Sequence, residues 1–123
     1  ENASKAESPY EIVLVAENEN KNIIGYTWLR WKNNTSTVST FGICISRPYQ
    51  GLGLAKKIII KLLKISKQIA PSTIHLTVQK ANKKALKLYL SMGFQIIKEQ
   101  MREANPQYGF EAEAEYLMEY KLH

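Results

Sequence analysis

Aspartate is absent from all 123 residues, and the 11 glutamates stand only at the two ends. Five fall within residues 1–19 and six from Glu99 onward, so residues 20–98 carry 14 Lys or Arg and no acid. The middle of the chain therefore cannot supply a carboxylate as general base. Its charge points to a polyanionic partner, whether nucleic acid, an anionic surface or a phosphate-rich cofactor. A solvated lysine-rich face is the plainer alternative. Cysteine is nearly absent too: Cys44 stands alone, which excludes an internal disulfide and suits a reducing cytoplasm. No apolar run reaches the ~18 residues of a membrane-spanning helix. Residues 1–10 are polar and show no signal-peptide pattern. The length suits one domain, residues 1–123, with residues 1–10 as a tail.

What is present reads as alternating short elements. "EIVLVAE" (Glu11–Glu17) and "IIGYTWLRW" (Ile23–Trp31) are β-branched or aromatic runs separated by turn residues, which predicts a hairpin. A third strand follows from about Thr35. Phe41, Ile43 and Ile45 alternate in phase, Val38 falls out of it, and Gly42 beside the slip predicts a β-bulge. From Leu54 the period changes: Leu54, Ile58, Leu62, Ile65 and Ile69 form one helical stripe that Pro71 ends. "STIHLTV" (Ser72–Val78) reads as a strand. "ANKKALKLYLSMG" (Ala81–Gly93) reads as a second helix capped by its glycine. "FQIIKEQM" and "EAEYLMEYKL" close the chain as two strands. The fold class is therefore α/β or α+β: a mixed, mostly antiparallel sheet with one parallel βαβ unit and two main helices.

The stretch "RPYQGLGLAKK", Arg47 to Lys57, joins a strand to the longest helix. Glycines there let backbone N–H groups face a ligand, and a helix start favours phosphate. The pattern is neither the dinucleotide fingerprint, since Lys56 stands where a third glycine belongs, nor a P-loop. By itself it is compatible with a structural turn.

A second motif lies about thirty residues on. Asn82, Ala85, Leu88, Tyr89, Gly93 and Phe94 follow the order Asn, Ala, then Leu-Tyr-x-x-x-Gly-Phe, and Gln50, Gly53 and Ala55 follow Gln-x-x-Gly-x-Ala. Together they resemble the GNAT superfamily of acyl-CoA-dependent N-acetyltransferases, over roughly residues 12 to 122. The resemblance implies acetyl-CoA as acyl donor, an amine as acceptor and no metal. Coenzyme A is expected in a wedge between splayed parallel strands around Ile45 and Val78. Backbone groups of Ile43, Cys44 and Ile45 would pair with pantetheine. Those of Gly51, Leu52, Gly53, Leu54 and Ala55, after Gln50, would cradle the pyrophosphate, with Lys56 or Lys57 as point charges. Asn82 would bond pantetheine or order the wedge, and Tyr89 would protonate the leaving thiolate. The reaction implied is direct attack of a neutral amine on the thioester, with a backbone N–H near Phe41–Ile43 holding the oxyanion.

Two departures from the family pattern stand out. Many members supply a carboxylate base from a central strand, and this chain has none there. The remaining candidates are Glu17, Glu19, Glu111, Glu113, Glu115, His75 and water, with Cys44 read as a buried small apolar residue. Family members also usually begin with a strand and one or two helices that build the acceptor pocket, elements that look short or missing here. The acceptor site is then open to a peptide, protein or small polyamine-like molecule, lined by Tyr26, Trp28 and Trp31, or the chain is shortened, or a partner chain completes it. A cytoplasmic monomer or homodimer is expected. Two rivals remain: a catalytically silent coenzyme A binder, and a nucleic-acid module using the lysine-rich helices. The latter calls for aromatics among the basic residues, and none lie between Tyr49 and Tyr89.

Overall fold

The computed structural model describes residues 10–109 and 111–122. All of the expected tail except Tyr10 lies outside them. The described chain forms two compact units, one running to Ile74 with Lys121 and Leu122 added, the other spanning His75–Tyr120. No helix among the described residues is long and apolar enough to cross a membrane.

The first unit begins with three antiparallel strands, β1 (Glu11–Glu17), β2 (Ile23–Arg30) and β3 (Val38–Ile45). Asn18 shapes the turn between β1 and β2, its Oδ1 accepting from the N–H groups of Asn20 at 2.9 Å and Asn22 at 3.0 Å. The register sets Ile12 opposite Leu29 and Leu29 opposite Phe41, so these three share one face. Helix α1 (Leu54–Ile69) lies against all three strands. It buries Ile58, Ile59, Leu62 and Leu63, and Ser66 returns its hydroxyl to the Leu62 carbonyl at 2.6 Å. Leu29, Ile59 and Leu62 are fully shielded from solvent. At ~25 cal/mol per Å² of apolar surface, such side chains each stabilise the unit by about 2 kcal/mol. The buried stripe sits to one side of the one expected from the periodicity, because Ile59 and Leu63 turn inward and Ile69 stays exposed.

The expected bulge at Gly42 is absent from the pairing with β2, where Gly25↔Ile45 runs unbroken to Arg30↔Thr40. Val38 is out of phase simply because it faces outward with Thr40, Gly42 and Cys44. Gly42 has a different reason to be glycine. A Cβ there would overlap the Trp28 ring, which lies directly across it. The pairing of β1 with β2 does shift, between Ala16 and Glu17.

The second unit holds most of β4 (Thr73–Gln79), then α2 (Lys83–Ser91), β5 (Gln95–Arg102) and β6 (Glu113–Lys121), with β6 between β4 and β5. Phe94 is its centre, 5.9 Å from the Tyr89 ring and 5.2 Å from that of Tyr120, with Met118 also buried. Alternation places Glu113, Glu115 and Glu119 on one face of β6. Each has a polar partner: Gln79 and Arg102 for Glu113, Gln100 for Glu115, His75 for Glu119. These glutamates therefore belong to an inner strand, and Glu115 is buried.

Gly42→Ala should lower stability by about 1–3 kcal/mol, the usual cost of forcing atoms into filled space. Urea denaturation would show it, and the loss should shrink in a Trp28→Ala background, where no ring meets the added methyl.

Candidate functional site

In the first unit, β3 ends at Ile45 and passes through a 3-10 turn, Arg47–Tyr49, into the glycine segment. Two side chains brace that exit. Gln50 Nε2 donates to the Ile45 carbonyl at 2.9 Å, closing the loop on the strand it leaves. Asn18 Nδ2 donates to the Tyr49 hydroxyl at 3.2 Å, tying the loop to the β1–β2 turn. Gln50 thus spends its amide on local geometry. Asn18 shows no motif in the sequence, and only the fold brings it to Tyr49.

Gly51 has φ 80° and Gly53 φ 81°, the left-handed region that costs other residues about 1–2 kcal/mol. Nothing lies within 4 Å of where a Cβ would stand on either. Gly53 is the N-cap of α1 and offers no side chain to the first-turn N–H groups. The first turn holds no acid, and Lys56 and Lys57 are exposed there. Ordinary helices put Ser, Thr, Asp or Asn at that cap and acids after it. This one presents bare N–H donors and two ammonium groups to open space, which are the donors a diphosphate takes.

Ile43, Cys44 and Ile45 lie on β3, and the Cys44 thiol is free and exposed, not buried as expected, because it faces outward opposite Tyr26. Leu52, Leu54 and Ala55 belong to the glycine segment and the start of α1.

In the second unit, Asn82 is the N-cap of α2, its Oδ1 accepting from Ala85 N at 3.2 Å. Tyr89 is 9% exposed on α2 beside Phe94. Burial pushes its phenol above the ordinary 10.0, so it keeps its proton at neutral pH, the form that can donate. Sequence reasoning missed the partner of His75, whose Nε2 lies 3.0 Å from Glu119 Oε2. Among the described residues, no three or more His, Cys, Asp or Glu gather closely enough to hold a metal ion.

A strand leading through left-handed glycines into a helix without a side-chain cap, flanked by lysines, is an α/β arrangement able to hold an anion. The chain belongs to the acetyltransferase (GNAT) family, whose model matches residues 2–94 and so spans both motifs. No curated protein matches it. Among solved structures, it is similar to a GNAT-family acetyltransferase from Streptococcus pneumoniae, with 26% identity and a TM-score of 0.81, over 96% of this chain and 70% of that one. A spermidine N-acetyltransferase chimera from Vibrio cholerae and hSSAT gives 28% identity and a TM-score of 0.80, over 95% of this chain and 70% of that one. The Vibrio cholerae spermidine/spermine N-acetyltransferase in complex with manganese ions gives 27% and 0.81, over 94% and 68%. The chain has the mixed-sheet α/β fold of this family.

Because the folded-state value of Tyr89 is raised, its contribution to stability is complete below about pH 10 and is lost as pH rises through the raised value. Urea midpoints should therefore fall more steeply as pH rises above about 10 for the wild type than for Tyr89→Phe.

Proposed function

We propose that the chain transfers an acetyl group from acetyl-CoA to a primary amine. The observation that carries this reading is the start of α1, where bare N–H groups behind two left-handed glycines stand beside exposed lysines. Gly51, Leu52, Gly53, Leu54 and Ala55 take the pyrophosphate through their backbone, and Lys56 adds charge. Gln50 serves by holding the loop. The backbone of Ile43 to Ile45 takes the pantetheine arm, in keeping with the family resemblance.

The amine attacks the thioester carbonyl, the carbon–sulfur bond breaks, and the thiolate leaves with a proton. Tyr89 is the donor we assign, since burial keeps its phenol protonated. Asn82 orders the start of the helix that carries Tyr89. The attacking amine loses its own proton to water, because residues 20–98 contain no carboxylate. The amine class is supported by relatives whose names carry spermidine and spermine. A free exposed thiol suits a reducing compartment, so we place the protein in the cytoplasm.

Calorimetric titration with acetyl-CoA, with adenosine diphosphate as control, tests the donor site. Stoichiometric binding tighter than the control is expected, and Gly53→Ala should weaken it about tenfold or more by straining the turn. With an accepted amine, Tyr89→Phe should lower kcat about a hundredfold while KM for acetyl-CoA changes little. Binding without turnover of any amine would favour the non-catalytic coenzyme A binder. No binding at all would overturn the donor assignment.

A further inference from the structure

The face of β1, β2 and β3 turned away from α1 is an ordered grid. Its rows are Glu11–Arg30–Thr40, Val13–Trp28–Gly42 and Val15–Tyr26–Cys44; Glu17 lies two residues beyond Val15 on β1, past the shift that sets it opposite Ile23. Two of these rows are closed. Trp28 covers Gly42, the Arg30 guanidinium lies 4.3 Å from the centre of the Trp28 ring, and Arg30 pairs with Glu11. The third row is open: Val15 and Tyr26 are each 42% exposed, and Cys44 is exposed. Glu17 is exposed at the end of this row and forms no ion pair among the described residues. Among the described residues of β1, β2 and β3, Arg30 is the only cation on this face and is paired with Glu11, whereas the lysines of α1 stand on the other side of the sheet.

We infer that Glu17 is a specificity-determining residue that receives a second positive charge on the acceptor amine, with Val15 and Tyr26 lining its aliphatic chain. This rests on the acetyltransfer reading and names the kind of amine that the open row selects. The geometry favours an unbranched chain. One step of two residues along β1, from Val15 to Glu17, is about 7 Å, and a few methylenes cover that length. The apolar middle and acidic end match a molecule that is apolar in the middle and cationic at its end. A monoamine leaves Glu17 without a partner, and a bulky acceptor meets the closed Trp28 row.

The test compares cadaverine, which carries an amine at each end of five carbons, with pentylamine. Counted per amino group, cadaverine should have the higher kcat/KM by about threefold to fivefold, the ratio an exposed ion pair supports, and the preference should fade as salt is raised. Glu17→Gln should bring the ratio to about one, while Glu19→Gln, altered in the neighbouring turn, should keep it. A second readout needs no turnover. Without acyl donor, cadaverine should slow alkylation of Cys44 by iodoacetamide more than pentylamine does, and Glu17→Gln should erase that difference. Turnover of both amines with a ratio that Glu17→Gln leaves intact would overturn the inference and spare the acetyltransferase reading. Glu17-dependent protection of Cys44 without turnover would support the inference while the acetyltransferase reading fails. Equal protection by both amines would count against Glu17.

Discussion

The burial of α1 against β1, β2 and β3 is the constraint on which the first unit depends. Ile59 and Leu62 reach complete burial on the side where Leu29 is also fully shielded. That contact decides which face of the strands is covered. It also separates charge, because the lysines of α1 stand on one side of the sheet and the outward-facing Glu17 on the other. An amphipathic helix is stabilised mainly by such packing, and intrinsic propensity contributes less.

The same helix begins in a way that stability alone would not select. Its cap is a left-handed glycine, its first turn holds no acid, and two lysines face its positive end. A serine or aspartate cap with a following acid would contribute about 1–2 kcal/mol. The absence of those groups leaves N–H donors free for an anion, at a cost in local stability. In the second unit the corresponding expenditure is the burial of a phenol. Tyr89 packs beside Phe94 with its hydroxyl in a poorly hydrated place, which holds it protonated.

Much of this was legible beforehand. The run Glu11–Glu17 is β1 to the residue, and the change of period at Leu54 marks the first residue of α1. Asn82 before "KKALKLYLS" is the N-cap that its position suggested, and the two glycines before Leu54 are both left-handed. Local chemistry sets such features, so local sequence reveals them. Gly42 misled because a glycine out of phase beside a strand is compatible with a bulge or with a close neighbour, and only the register shows Trp28 across from it. The setting of the β6 glutamates was hidden for a similar reason. Alternation put Glu113 and Glu115 on one face, but whether that strand was inner or outer depends on β5 pairing beyond it.

By itself, then, the sequence determined the order of strands and helices, the phosphate-type turn into α1, the position of Tyr89 on α2, and the lack of a carboxylate base in the middle. Each follows from neighbours within a few residues or from composition. Tertiary structure alone decided that Arg30 engages Glu11 and caps Trp28 while Glu17 stays unpaired, that Asn18 holds Tyr49, and that His75 meets Glu119. Apart from the Arg30–Trp28 contact, those pairings join residues 19 to 44 positions apart. They are set by strand register and the packing of whole elements, which no local periodicity encodes.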